Sequence, residues 1–130
     1  AAVLRVKLPR LDKDNEHRRL IASKYMEGIK NPMIQLPLWP RDELECVWHV
    51  FPIRCAERDT LQKYLAEAGV HTLIHYPIAP HKQQALSHLE HGPLPLTQRI
   101  HEEELSLPIS PLMTLEDAEY VISLINKFVK

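Results

Sequence analysis

ECVWHVFPIRCAERDTLQKYLAEAGVHTLIHYP, residues 45–77, changes its hydrophobic period twice. ECVWHVFPIRC (45–55) is rich in β-branched and aromatic residues and predicts the longest strand of the chain. Pro52 has no amide donor, so the strand needs an unpaired edge or a bulge there. ERDTLQKYLAEAGV then places Leu61, Tyr64, Leu65 and Ala68 at helical spacing and ends on Gly69, a natural residue for the left-handed turn after a helix. VHTLIHY (70–76) returns to strand character. A strand, a helix and a second strand within one short stretch set the architecture.

Working outward, AAVLRVKL (1–8) contains good helix formers with no capping residue before them, so the chain is expected to start inside a helix. Pro9 should kink or break it. A second helix is expected from about Asp12 to Ile29, with Ile21, Tyr25 and Ile29 on one stripe and His17, Arg18, Arg19, Lys24 and Glu27 forming a solvated face. IQLPLWP (34–40) is extended and broken by proline, and PIAPHKQQAL (77–86) must leave the sheet. A helix over about 96–104 is followed by a short extended piece, LSLPIS (105–110). The last helix starts at Thr114, with Asp117 completing a capping box and Leu115, Ala118, Val121, Ile122, Ile125 and Phe128 facing inward. The expected fold class is therefore α+β: one domain over residues 1–130, with a small antiparallel or mixed sheet of two to four short strands and helices packed mainly on one face. The other sheet face would need a cover. Val3, Leu4 and Leu8, with residues around Leu38 and Trp39, are the apolar residues expected to lie open, and the expected result is self-association or a shift of the first helix to cover the gap.

Composition narrows the function classes. The chain has 130 residues, 45% of them hydrophobic, enough for one core. Sixteen basic residues against seventeen acidic ones give a formal net charge of -1, which offers no electrostatic case for nucleic acid. No apolar run approaches the roughly 20 residues that span a bilayer, and the protein is read as cytoplasmic, with no membrane partner. If Cys46 and Cys55 lie on one extended strand they stand about 30 Å apart at about 3.3 Å per residue, too far for a disulfide, and both are read as thiols.

His71, His75, His81, His88, His91 and His101 crowd into one region, yet they fall on strand, loop and helix without metal-site spacing, so no metal is expected. Neither a nucleophile elbow nor a glycine-rich phosphate loop can be built from three glycines. LIHYPIAPHKQ (73–83) stands apart, because a strand delivers His75 and Tyr76 to a turn stiffened by Pro77 and Pro80 that presents His81, Lys82 and Gln83. Such donors suit phosphate or sugar oxygens, and a rigid surface loop is the plainer reading of the same residues.

AAVLRVKLPRLD (1–12), VWHVFPIR (47–54), YLAEAGVHTLIHYPIAPHKQQAL (64–86) and EEELSLPISPLMTLEDAEYVISLINKF (102–128) together resemble the DegT/DnrJ/StrS group. These are pyridoxal-phosphate-dependent nucleotide-sugar aminotransferases of the aspartate-aminotransferase fold (fold type I). The resemblance implies that this chain corresponds to the C-terminal small domain, and that the large domain with the Schiff-base lysine and the cofactor site is absent. It implies no catalytic or cofactor-binding residue here, and none of Lys7, Lys13, Lys24, Lys30, Lys63 or Lys82 sits in the family's lysine motif.

By the same resemblance His75 and Tyr76 approach the nucleotide-sugar substrate, and His81 and Lys82 match a less constant position of that loop. His49 matches a core-strand histidine with a structural role. HYPIAPHKQ looks most like the branch that aminates C3 of TDP-linked 3-keto-6-deoxyhexoses, although Ala79 stands where relatives often have proline. The implied whole enzyme is a homodimer that uses pyridoxal 5'-phosphate and an amino-acid donor such as glutamate. Its product would serve deoxysugar, lipopolysaccharide or other cell-surface polysaccharide biosynthesis, and the present fragment would be inactive. The alternative is a stand-alone sugar-nucleotide-binding or assembly module without catalysis.

Overall fold

The computed structural model describes residues 1–89 and 92–129, so His91 lies outside the described residues. Its elements in chain order are α1 (Ala2–Lys7), α2 (Leu11–Gly28), β1 (Phe51–Arg54), α3 (Arg58–Glu67), α4 (Pro95–Glu103), β2 (Glu104–Leu107) and α5 (Leu115–Lys127). The two strands pair antiparallel, with Phe51 opposite Leu107 and Arg54 opposite Glu104. Single bridges from Gln35 to Arg54 and from Leu73 to Ser106 extend the sheet by one residue on each edge.

Alternation along the strands sorts the two faces. Phe51, Ile53, Leu105 and Leu107 enter a core shared with Ile21, Tyr25, Leu61, Leu65, Val121 and Ile125. Pro52, Arg54, Glu104 and Ser106 take the opposite face. Arg54 exchanges both backbone hydrogen bonds with Gln35, and the Cys55 amide turns the other way to Glu103. The ring nitrogen of Pro52, two residues before Arg54, therefore lies on the outer edge, where no ladder bond is required. The expected unpaired edge is present.

Helices α2 and α5 are clasped at their C-terminal ends by two asparagines. Asn31, buried, donates to the carbonyls of Ile125 and Phe128, and Asn126 accepts from Lys30 N–H while donating to Gly28 O. A Cβ at Gly28 would come within 2.7 Å of the Ile122 side chain, so glycine permits the close approach of the two helices. After α3, Gly69 adopts φ +80°, and bonds from Gly69 N to Ala66 O and from Val70 N to Leu65 O close a Schellman turn. The Tyr25 hydroxyl donates to Pro108 O at 2.7 Å, and burial pushes its phenol well above the usual range.

Several expectations are corrected. The strand expected over 45–55 is only Phe51–Arg54, because Trp48 takes φ 50° and turns the chain, burying its indole against Trp39 and Phe51. His49 is consequently exposed and outside any strand, which removes its core-strand role. Cys46 and Cys55 are both free thiols, but they do not share an extended strand. The strand expected over 70–76 contributes one bridge, at Leu73. Pro9 interrupts the α-helix as expected: α1 ends at Lys7, a 3-10 turn spans Leu8–Arg10, and α2 starts at Leu11, with the backbone right-handed helical throughout. The HRR run is not merely solvated: His17 bonds to Met113 O at 2.7 Å and Arg19 donates to Cys46 O at 3.2 Å.

The expected open apolar residues are open. Val3, Leu4, Val6 and Leu8 are each well exposed, and Leu38 is 94% exposed beside the polar face of the sheet. The isolated chain is therefore expected to associate with itself as concentration rises. Light scattering across a dilution series should show growing mass for the wild type and less for Leu4→Glu.

The capping box of α5 is complete. Asp117 N–H donates to Thr114 Oγ1, and Thr114 N–H donates to the Asp117 carboxylate. Those bonds hold the Asp117 carboxyl below the usual carboxylate range. A depressed folded pKa contributes stability above the unfolded value and loses it as pH falls through the folded one. Thr114→Ala should cost about 1 kcal/mol in urea unfolding, and Asp117→Asn should flatten the acid limb of a stability-against-pH curve.

Candidate functional site

Strand β2 supplies the foundation of the site. Its burial is continuous, so Glu104 (6% exposed) and Ser106 (4%) are enclosed on the face away from the apolar core. Buried polar groups need partners, and the segment after Leu73 provides them. His75 N–H donates to Glu104 Oε2 at 2.8 Å, His75 Nδ1 lies 2.8 Å from Ser106 Oγ, and the Ser106 hydroxyl donates to Glu104 Oε1 at 2.6 Å. These three contacts hold His75 half-buried against the sheet edge.

Tyr76 follows across a cis peptide and is 67% exposed, its ring edge-on to His75 at 5.6 Å and 88°. Its carbonyl accepts from His101 Nδ1 of α4 at 2.7 Å. Arg58, at the start of α3, donates from one guanidinium nitrogen to the carbonyls of His101 and Glu104 at 3.3 Å each, which joins the end of α4 to the start of β2. Arg54 pairs with Glu103 across the same corner at a side-chain exposure near one fifth for both.

The turn stiffened by proline folds as sequence reasoning implies, with 3-10 turns at Pro80–Lys82 and Gln84–Leu86. His81 is half-buried on the first turn, and Lys82 is exposed. Lys82 lines a cleft of about 200 Å³ with Arg58, Pro77, Ile78, Ala79, Gln98, His101 and Glu102. Of the four residues singled out from sequence, the structure sets His75 and Tyr76 side by side, and it places Lys82 in the adjoining cleft. His81 does not line that cleft. A groove of about 780 Å³ between α2 and the Trp39–Leu44 segment contains none of the four.

Glu104, Ser106, His101 and Arg58 escaped the sequence reading. The alternation E-L-S-L in residues 104–107 is a signal that could have put Glu104 and Ser106 on one face, but the helix expected over about 96–104 includes Glu104, which the structure places at the start of β2. Nothing local told that this face would be covered by His75. Among the described residues no cluster of three or more His, Cys, Asp or Glu side chains could hold a metal ion, and no helix is long and apolar enough to cross a membrane.

The fold as a whole recurs in a known class of proteins. The model of the DegT/DnrJ/EryC1/StrS aminotransferase family matches residues 1–126, and the chain belongs to that family. It is 49% identical over 128 residues to the dTDP-3-amino-3,6-dideoxy-alpha-D-galactopyranose transaminase of Aneurinibacillus thermoaerophilus, covering 98% of this chain and 35% of that protein. It is 36% identical over 131 residues to the dTDP-3-amino-3,4,6-trideoxy-alpha-D-glucose transaminase of Streptomyces venezuelae, covering 98% and 34%. In structure it superposes on S. venezuelae DesV, solved in complex with a ketimine intermediate, with a TM-score of 0.89 at 34% identity, over 99% of this chain and 36% of DesV. NtdA of Bacillus subtilis, solved with bound cofactor PMP, matches with a TM-score of 0.75 at 30% identity, over 86% of this chain and 27% of NtdA. The chain spans about a third of the length of these relatives.

Replacing Arg58 tests the scaffold of the site. Arg58→Ala leaves two carbonyls without their donor and should cost about 1 kcal/mol, read by urea unfolding. Amide hydrogen exchange should quicken first across residues 73–79.

Proposed function

We propose that the chain is the C-terminal domain of a longer pyridoxal-phosphate-dependent transaminase that moves an amino group to a nucleotide-linked keto-sugar. The observation that carries this reading is the family match over residues 1–126, joined to relatives whose names specify amination at C3 of dTDP-linked deoxysugars. The substrate class that fits best is a TDP-linked 3-keto-6-deoxyhexose, with glutamate as amino donor, in a cytoplasmic homodimer serving cell-surface polysaccharide synthesis.

Within this proposal the cofactor belongs to another part of the protein. Lys7, Lys13, Lys30, Lys63, Lys82 and Lys127 are exposed, and Lys24 sits at the surface paired with Glu119 at 2.9 Å. A lysine that bonds the cofactor needs an enclosed setting that lowers its pKa, whereas Glu119 raises that of Lys24 through a hydrogen bond and its charge. These lysines therefore do not fit the cofactor. The bound group supplies the electron sink for amine transfer. What this chain adds is positioning: His75 and Tyr76 form one wall of the sugar-nucleotide site, with Lys82 and His81 on the adjoining turn.

Two measurements test the proposal. Incubation of the isolated chain with pyridoxal phosphate, followed by borohydride reduction and mass spectrometry, should show no stoichiometric pyridoxyl adduct on a single lysine; such an adduct would remove the reading. In the full-length protein, His75→Ala and Tyr76→Phe should each raise KM for the sugar nucleotide by about tenfold, with cofactor binding little changed. Unchanged KM and kcat in both variants would return the two residues to a structural role, and a full-length protein without transaminase activity would favour a binding module.

A further inference from the structure

We propose that Glu104 and Ser106 are positioning residues that lock the neutral His75 ring in its Nδ1-protonated tautomer, so that Nε2 meets the ligand as a hydrogen-bond acceptor. The ligand half of this inference rests on the placement of His75 in the sugar-nucleotide site. That Nδ1 carries a proton rests on geometry alone, and the neutral state of the ring is part of the proposal.

A serine hydroxyl carries one proton and can donate once. Ser106 Oγ lies 2.6 Å from Glu104 Oε1, and a carboxylate oxygen only accepts, so the hydroxyl proton is committed to Glu104. What remains on Oγ is lone pairs. His75 Nδ1, 2.8 Å away, must then be the donor. The second carboxylate oxygen accepts the backbone N–H of His75 itself at 2.8 Å. One carboxylate thus holds the main chain of His75 directly and its ring through Ser106.

The surroundings make the arrangement strict. Glu104 and Ser106 are almost fully enclosed, where hydrogen bonds strengthen and an unpaired carboxylate is costly. Among the described residues no ion pair reaches the Glu104 carboxylate: Arg54 goes to Glu103, and Arg58 meets only the Glu104 backbone carbonyl. The carboxylate is therefore satisfied by neutral donors, Ser106 and the His75 amide. Nε2 of His75 has no protein partner among the described residues.

This reverses part of the sequence reading, in which the residues of this segment serve as donors to phosphate or sugar oxygens. A phosphate oxygen accepts, and so does the bare Nε2 of the locked ring. The complementary ligand group is a donor, and of those a nucleotide-linked sugar offers, the one this proposal assigns is a hydroxyl of the hexose. His75 would thereby discriminate hydroxylated from deoxygenated positions, because a site group left unpaired penalises the ligand that lacks its partner.

The test uses the full-length protein with ring-15N histidine, where long-range proton–nitrogen spectra distinguish the two neutral tautomers and the cation. The His75 signals, identified by their loss in His75→Ala, should report Nδ1 protonation at neutral pH. Ser106→Ala should shift them toward Nε2 protonation, and Ser106→Thr, which keeps the hydroxyl, should restore the wild-type pattern. Ser106→Ala should also raise KM for the sugar nucleotide about three- to fivefold with kcat nearly constant, a smaller effect than His75→Ala. A wild-type His75 that is Nε2-protonated or doubly protonated overturns the lock, whatever the Ser106 variants do. A correct tautomer together with an unchanged KM in His75→Ala leaves the lock standing and sinks the ligand role.

Discussion

Strand β2 is four residues long and buried on both faces, and the rest of the molecule is arranged to satisfy it. Leu105 and Leu107 belong to the apolar core, so the pleat sends Glu104 and Ser106 to the opposite side. There a carboxylate and a hydroxyl are removed from water and must be given donors. Those donors come from His75, which brings the chain after Leu73 onto the sheet edge. The position of Tyr76, its carbonyl bond to His101 and the seating of Arg58 against the α4–β2 corner are all built around that docking. In a domain with so little sheet, a polar pair of residues organises the exposed loop as firmly as the leucines organise the core.

The helical side is closed by a different device. Helices α2 and α5 meet tightly at Gly28, and the amides of Asn31 and Asn126 satisfy carbonyl groups that helix ends leave open. The core is therefore sealed from within the chain. The opposite is true of α1 and of the segment around Leu38, which present large apolar side chains to solvent. Two surfaces of contrasting chemistry coexist, one self-sufficient and one without a cover, in a chain that spans about a third of its relatives.

The differences between sequence and structure share a cause. Residues 45–50 have strand-like composition, but their aromatic groups stack, Trp48 on Trp39 and on Phe51, and the backbone turns at Trp48 to allow it. Side-chain packing outweighs a β-propensity that spans only about 1 kcal/mol. VHTLIHY likewise makes one bridge, because its polar groups are engaged by Glu104 and Ser106 and not by a ladder.

By itself the sequence determined what depends on neighbours along the chain. The Gly69 turn after α3, the capping box of Thr114 and Asp117, the edge position of Pro52, the inward stripes of α2 and α5, and the α+β class all follow from local sterics, hydrogen bonding and period. The residues around His75 and Tyr76 also carry the resemblance to the family. Tertiary structure alone decided what His75 is bonded to. Glu104 and Ser106 lie about thirty positions from His75, and a contact at that separation leaves no periodic trace in a single chain. Only when β1 and β2 pair, and the segment after Leu73 folds across them, does the buried Glu104 carboxylate meet the His75 amide and the Ser106 hydroxyl meet the His75 ring nitrogen.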